Sequence, residues 1–523
     1  MKYQIDNLKV EPKDANNLEN ILKTKFKLKN FSYKIIHKSI DARNKNQVCL
    51  IYRLIIETNQ KLRGKNITLF KENNIKITYP KWNNLRPIIV GFGPAGMFAA
   101  LYLARCNSKP IIIERGSDIE QRKRDVENFL NNKILNENSN IQFGEGGAGA
   151  FSDGKLVTNL RDPLINFILN EFYIHGAKED VLYDAKPHVG TDYLEKVVKN
   201  IRLEILSLGG EFYFNHTFLY ANNNDDGSLD VFVEGEKTKF KTNHLLLGLG
   251  HSARDTIKNL YYKMNLNIEP KAFSMGVRIE HPIELINSIQ YGDYAKYLPA
   301  AYYKLASRYN GRGVYTFCMC PGGYVMASTS DNGSIVTNGM SNYSRDNFNS
   351  NAAILVDVLP SDYYVSSPLD GLEYQAKYEK KAFNISKDYK APANLVKEFL
   401  NDEVALKLRT VKTTYPHGVI LCDLKECLPS FVVDGIKQGI KDFDNKLKGF
   451  NYDDAILIGV ETRSSSAVRI IRDNNKMANM KGVYPIGEGA GYAGGITSAA
   501  LDGLKTAIQI SLDGENNGSN WKI

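Results

Sequence analysis

Apolar and polar positions alternate in a short first strand at the start of residues 3–57, then recur at helical spacing (Leu18, Ile21, Leu22) within residues 15–26. Alternation returns in FSYKIIHKSI and VCLIYRLIIE, which the polar turn ARNKNQ joins. This order predicts a small α/β module of ferredoxin-like kind. The polar and aromatic stretch KENNIKITYPKWNNLR reads as a linker ending at Pro87. The texture then changes. RPIIVGFGPAGMFAALYLARCNSKPIIIERG reads as a buried strand, a glycine turn, an alanine-rich helix and a second buried strand, so a new domain begins there.

An Asn-rich connection at 131–140 leads to the glycine-dense QFGEGGAGAFSDGKLVT, and SLDVFVEGEKTKFKTNHLLLGLG predicts a hairpin or meander followed by a buried strand. Residues 271–450 are mixed and tyrosine-rich, with strand-like FSMGVRIE, GVYTFCMC and GYVMAS and later helical stretches. The chain returns through DAILIGVETRSSSAV to GVYPIGEGAGYAGGITSAALDGLKTAIQI, a strand, a glycine loop and an amphipathic helix. The expected fold class is α/β: a basic α/β module (1–86) and a discontinuous Rossmann-like domain (87–270 and 451–523) interrupted by an α+β substrate or cap domain (271–450).

With 523 residues and 43% hydrophobic content the chain can bury a sizeable core, which excludes intrinsic disorder. The net charge of +9 is unevenly placed. Residues 1–86 hold 19 basic and 7 acidic side chains, a net +12, which leaves −3 for the rest. The six cysteines (Cys49, Cys106, Cys318, Cys320, Cys422, Cys427) form no CxxC pair and cannot staple a chain this long, so a reducing compartment is expected. MKYQIDNLKVEPKD has no apolar leader core, and no apolar run reaches the roughly 18 to 20 residues of a membrane span. These features predict a soluble cytoplasmic protein. Neither HExxH nor a carboxylate cluster points to a metal.

Gly91, Gly93 and Gly96 form G-x-G-x-x-G between a strand and a helix. The first permits the tight turn, the second lets a pyrophosphate approach the backbone, and the third lets the helix lie close on the strand. Phosphates then meet free N–H groups and the dipole of a helix N-terminus. Glu114, closing the next strand, is placed to bind adenosine ribose hydroxyls, and its charge would repel an NADP-type 2′-phosphate.

The spacing recurs at Gly144, Gly146 and Gly149, after polar NENSN and before the turn SDG, which is no strand–helix junction. Such a loop, Gly147 included, suits close approach by a flat ligand or another backbone. A third match starts at Gly489 and ends at Gly494, too near the C-terminus to leave room for a second nucleotide-binding half. The fourth, Gly248, Gly250 and Ala253, reads either as the start of a second βαβ unit or as a strand crossing back to the first site. The meander before it favours the second.

Together, VGFGPAGMFAALYLAR with IIERG, FGEGGAGAFSDGKLVT, LLLGLGHSARDT and GVYPIGEGAGYAGGITSAALDGLKTA resemble FAD-dependent flavoproteins of glutathione-reductase-like fold. More narrowly the chain resembles the bacterial family of uncharacterised FAD-dependent dehydrogenases, in which a small α/β domain precedes the flavin domain. KPHVGTDYL, GVRIEHP, YTFCMCPGGYV and ETRSSSAVRI extend the likeness over nearly the whole chain. The resemblance implies that Gly91, Gly93, Pro94, Ala95 and Gly96 hold the FAD pyrophosphate, with Glu114 on the ribose and Arg115 beside it. It implies that Gly248 to Gly250 pass the cofactor, that Gly487 and Glu488 approach the ribityl or pyrophosphate, and that Gly494, Gly495 and Ile496 bring a helix N-terminus to the flavin's pyrimidine edge. A helix dipole there stabilises reduced-flavin charge by about 0.3 to 2 kcal/mol.

The implied activity is an FAD-dependent oxidoreductase or dehydrogenase acting through flavin N5 on a small organic molecule, with NAD(P)H as a transient donor. Two alternatives stand beside it: a flavoenzyme acting on RNA, with the basic module as platform, and a non-catalytic flavin protein. The charge is lysine-rich and spread among asparagines, and no RNA-binding signature is visible, which favours a solvated basic face over an RNA platform. A catalytic base is not legible. His251, Arg254 and Arg463 are candidates for the flavin or substrate, against backbone or phosphate binding for the first two and a serine-capped helix start at Ser464 to Ser466 for the third. His188 has no assignable role. Cys318 and Cys320, two apart on an extended strand, would share a face at a separation too large for a relaxed disulfide, so buried structural cysteines are expected.

Overall fold

A computed structural model of the chain describes residues 1–72, 77–235 and 239–512. The first module is a four-stranded antiparallel sheet in the spatial order Phe31–Asp41, Cys49–Thr58, Lys2–Val10, Ile67–Leu69. Alternation in Cys49–Thr58 turns Leu50, Tyr52, Leu54 and Ile56 inward, where they cluster with Leu18 and Leu22 of the helix Leu18–Phe26. The strand order is that of a ferredoxin-like module, while the link 59–66 carries no helix. The outer strand docks edgewise on the next unit: Lys38 N–H donates to Tyr183 O at 2.7 Å, and Ala185 N–H to Lys38 O at 2.8 Å. Of the expected linker, residues 73–76 lie outside the described residues. Its end is strapped down by the Trp82 N–H bond to Cys106 O (2.9 Å) and by the Trp82 ring against His244.

The second unit is a five-stranded parallel sheet in the order Glu211–Tyr213, Ile111–Ile113, Ile88–Val90, Leu245–Leu247, Val483–Pro485. Its central strands are uninterrupted apolar runs (III, IIV, LLL) because both faces are covered. Leu245–Leu247 pairs in parallel with both the first and the last strand. It is therefore the crossing strand of one sheet, not the opening of a second nucleotide-binding half. The helix Pro94–Arg105 packs against the final helix Ile496–Leu512, closely enough that a Cβ on Gly503 would stand 2.0 Å from Ala95 O. The predicted meander is present as Phe218–Asn223, Leu229–Val233 and Phe240–Thr242, residues 236–238 lying outside the described ones.

The insert is built on a seven-stranded mixed sheet ordered Ala306–Tyr309, Arg312–Cys320, Asn349–Val358, Phe273–Pro282, Ile456–Glu461, Ala391–Leu395, Val419–Leu421. The helix Ser430–Lys446 buries Val433, Ile436, Ile440 and Phe443 against it. The return expected at residue 451 comes later, since Ile456–Glu461 pairs with Phe273–Pro282 inside this sheet. A fully apolar run such as ILIGV reads alike in either sheet, so periodicity could not assign its partner. The chain enters and leaves the insert through two short strands, Ile268–Pro270 and Val468–Ile470, that pair with each other.

Candidate functional site

The C-terminal ends of Ile88–Val90 and Leu245–Leu247 open into a cleft of about 530 Å³, closed on the far side by the insert strand Arg312–Cys320. This is the place where open parallel sheets bind ligands. Gly91, Gly93, Pro94 and Ala95 line it; Gly96 lies beneath, where an added Cβ would stand 1.9 Å from Gly91 O. Gly91 has φ +88°, and its Cβ would meet Gly248 O at 2.6 Å, so turn and crossing strand touch backbone to backbone.

The second glycine loop packs onto the first. Gly146 N–H donates to Phe92 O at 2.9 Å, and a Cβ on Gly147 would lie 2.9 Å from Gly93 Cα. Glu114 ties both loops together: its carboxylate accepts from the backbone N–H of Phe92 (2.8 Å), Gly116 (3.0 Å) and Gly144 (3.0 Å). A carboxylate has about four acceptor sites, so capacity for a ribose hydroxyl remains. Arg115 also lines the cleft, with its guanidinium on Asp255 and over the Phe143 ring.

Sequence reading missed what holds that loop. Arg122 is fully buried and donates to the carbonyls of Asn140, Ile141, Gly144, Glu145 and Gly147, which wrap the guanidinium. Burial pulls its pKa down to about 10 against the opposing pull of Glu114 and Glu145. Glu145 is buried beside Arg202 and accepts from Ile119 N–H at 2.7 Å; burial pushes its carboxyl up to about 7. The legible signal is that Arg122 falls at helical spacing on the apolar face formed by Ile119, Val126 and Phe129, where a charged side chain needs a buried partner.

From the C-terminal segment Glu488, Gly494, Gly495 and Ile496 line the cleft at the start of the final helix. Gly487 does not. It packs under Ala95 and donates its N–H to Asp502 at 2.9 Å. Gly248 and Gly250 line the cleft from the crossing strand, and so does His251. Both His251 ring nitrogens are buried and make no hydrogen bond among the described residues, although Nδ1 lies 3.3 Å from Glu488.

Arg254 and Arg463 are engaged elsewhere. Both grip the buried Glu379: Arg254 in bidentate fashion (2.6 and 2.8 Å), Arg463 through Nε (3.0 Å) and a second nitrogen (2.7 Å). Burial raises the Glu379 carboxyl, but the two guanidiniums outweigh it and hold it far below the usual carboxylate range. Arg463 reaches the cleft wall while its guanidinium also holds Asp331 and Ser330; Arg254 does not line the cleft. No helix starts at Ser464 to Ser466, where the chain runs as a loop into Val468–Ile470. His188 stacks on Tyr343 with ring centroids 5.3 Å apart, a packing position beside Asp153 rather than in the cleft.

Cys318 departs from the extended geometry expected of it. The register between Arg312–Cys320 and Asn349–Val358 slips between Phe317 and Cys320, and Cys318 takes φ +40° in a bulge that lines the cleft. Behind it, Asp153 is buried with Lys155 at 3.0 Å and Arg345 Nε at 2.9 Å. Burial raises Asp153, but these two cations prevail and hold it at about 2.

The residues present fit a dinucleotide. Gly250 and Gly494 line the cleft with nothing within 4 Å of an added Cβ, so no protein packing explains glycine there. The half-buried His251, whose ring nitrogens are shielded and make no hydrogen bond among the described residues, faces the same space. Among the described residues no group of His, Cys, Asp or Glu could hold a metal ion, and no helix is long and apolar enough to cross a membrane.

Residues 272–464 match the family model described as FAD-dependent protein, C-terminal domain-like. The chain is 46% identical over 490 residues to an uncharacterised protein of Clostridium beijerinckii, covering 91% of each. Solved structures with remote likeness include CmlS, a flavin-dependent halogenase (11% identity, 83% of this chain and 60% of that one, TM-score 0.39). Two others are E. coli quinol fumarate reductase FrdA (11%, 84% and 72%, 0.36) and CtdE in complex with FAD (12%, 83% and 86%, 0.32). The chain belongs to the family of the uncharacterised clostridial protein, its residues 272–464 match a domain described for FAD-dependent proteins, and its cofactor is FAD.

Proposed function

We propose that the protein is an FAD-dependent oxidoreductase of glutathione-reductase-like architecture, acting on a small organic substrate with NAD(P)H as electron donor. The observation that carries this reading is the cleft itself, with nucleotide-binding backbone on one side and the bulged, charged edge of the insert sheet on the other. Bound FAD supplies hydride chemistry at its N5. The chain supplies position and field. The turn Gly91 to Gly96 and the helix Pro94–Arg105 would hold the pyrophosphate, Glu114 the ribose, and Gly248 and Gly250 would pass alongside. The N-terminal turn of Ile496–Leu512 would favour negative charge at the pyrimidine edge. His251 and Glu488 stand together where a proton can be held or passed, across the cleft from the insert strand Arg312–Cys320.

Anaerobic mixing of the flavin-loaded protein with NADH and with NADPH tests this. Rapid bleaching of the flavin absorbance by one of them is expected and identifies the donor. An unchanged spectrum with both overturns the assignment of NAD(P)H as donor.

A further inference from the structure

The insert side of the cleft presents hydrogen-bond donors that lack acceptors. Lys304 lines it as an exposed side chain with no ion pair or hydrogen bond among the described residues. Asn338 lines it too. Its Oδ1 accepts from Gly339 N–H at 2.8 Å, which leaves the amide nitrogen without an acceptor among the described residues. Phe317 and Tyr302 give the same wall an aromatic surface.

Behind these groups the charges do not balance. Lys155 also lines the cleft, its side chain 20% exposed, with Nζ 3.0 Å from Asp153. That carboxylate already accepts from Arg345 Nε at 2.9 Å, from a second Arg345 nitrogen and from the Ser341 hydroxyl, so its capacity is spent inside the protein. The fully buried Arg278 donates to Glu461 at 3.0 Å, to Asn351 Oδ1 at 2.7 Å and to Cys318 O at 2.8 Å. Lys155, Arg278 and Arg345 thus face two carboxylates, Asp153 and Glu461, and burial pushes the Glu461 carboxyl up to about 7, so that near neutral pH it carries a proton part of the time. Cys320 Sγ, 3.9 Å from Lys155 and from Arg278, donates to Cys318 O at 3.2 Å and so keeps its proton. His188 adds no cation, since burial holds it below the ordinary histidine range. A partly buried cation in excess of its carboxylates favours an anion from outside.

We propose that this wall binds the carboxylate of an organic acid, with Lys155 and Lys304 pairing with the anion and Asn338 donating to it, and that such an acid is the substrate class of the oxidoreductase. This rests on the reading that FAD lies along the Gly91 turn and the final helix, which meet its phosphates and leave the cations of the opposite wall to a second ligand. A phosphate of the nicotinamide donor carries the same oxyanion chemistry. The buried excess of a single charge, beside aromatic surface, suits a monoanionic carboxylate with an apolar body better than a dianionic phosphate.

The test titrates the flavin-loaded protein with benzoate, with its neutral isostere benzamide and with adenosine 2′-monophosphate, read by calorimetry and by perturbation of the flavin absorbance. Wild type is compared with Lys155→Met and with Lys304→Ala, whose exposed side chain has no partner to lose and which therefore serves even where Lys155→Met fails to fold. Benzoate should bind about tenfold or more tighter than benzamide, and each folded variant should lose about tenfold in benzoate affinity with benzamide unchanged, the loss of one charge-assisted contact. No binding of benzoate, no preference for it over benzamide, or a preference that survives in Lys304→Ala overturns the carboxylate site and leaves the cofactor reading intact. Binding of adenosine 2′-monophosphate in place of benzoate, lost in Lys304→Ala, assigns the cations to the donor's phosphate and overturns the carboxylate as well. A protein that retains no flavin overturns the cofactor reading itself.

Discussion

On the nucleotide side of the cleft the contacts are backbone against backbone. Gly91 meets Gly248, Gly96 meets Gly91, Gly147 meets Gly93, and Gly489 would place a Cβ 2.2 Å from Leu249 O. On the insert side the contacts are charged side chains from distant parts of the chain: Glu379 between Arg254 and Arg463, Asp153 between Lys155 and Arg345, Glu461 on Arg278. Where those glycines meet, the first wall has no room for a Cβ and owes its shape to sterics. The second is set by charge balance, so it responds to pH and to single neutral replacements while its backbone stays in place.

Four substitutions separate these two modes of construction, in order of expected effect. Gly96→Ala drives a methyl into Gly91 O, 1.9 Å away with no side chain to move aside, and should lower stability by more than about 4 kcal/mol with loss of flavin. Denaturant midpoints and retained flavin absorbance read this. Glu379→Gln leaves two buried guanidiniums without their shared anion, and a loss of about 3 to 5 kcal/mol is expected in the same assay.

Asp153→Asn adds a pH signature. The folded carboxyl lies at about 2, below an unfolded value of about 3.9, so its contribution is present above the unfolded value and drains away as pH falls toward the folded one. The variant should be less stable than wild type by about 2 to 3 kcal/mol at neutral pH, with the difference shrinking between about pH 4 and pH 2. A constant difference across that window would contradict the ion-pair origin. Smallest in stability is Gly494→Ala, whose new methyl meets no protein atom within 4 Å. It should change the denaturant midpoint by less than about 0.5 kcal/mol yet weaken FAD binding, a split that a merely structural glycine would not show.

What the sequence disclosed follows the same division. The turn at Gly91 to Gly96 was legible because strand, turn, helix and the acidic end of the next strand are local, and each glycine has a steric reason visible in the order of residues. The meander and the final glycine loop with its helix were legible on the same ground. The partners of Glu379 stand 125 and 84 residues away, and Arg345 lies 192 residues from Asp153, distances that no periodicity encodes. Arg122 is the plainest case: its spacing puts it on the apolar face with Ile119, Val126 and Phe129, but only the folded glycine loop supplies its five carbonyls. The strand Ile456–Glu461 was seen as a strand and placed with the wrong sheet. The bulge at Cys318 escaped because FCMC gives no glycine or proline to mark it.

The basic module stands apart from the cleft. Its sheet docks through Lys38 and residues 183–185, and the lysines of 23–29 lie on or just beyond a helix on the module's own core, away from the cleft. In the proposed placement the cofactor's phosphates draw nothing from that +12, since glycine turns and helix ends would meet them.

Cofactor stoichiometry tests the central claim most directly. Protein purified and reconstituted with excess FAD, then desalted and denatured, should release one FAD per chain. Release of FMN in its place, or of no flavin, would contradict a dinucleotide site bounded by the Gly91 turn and the final helix.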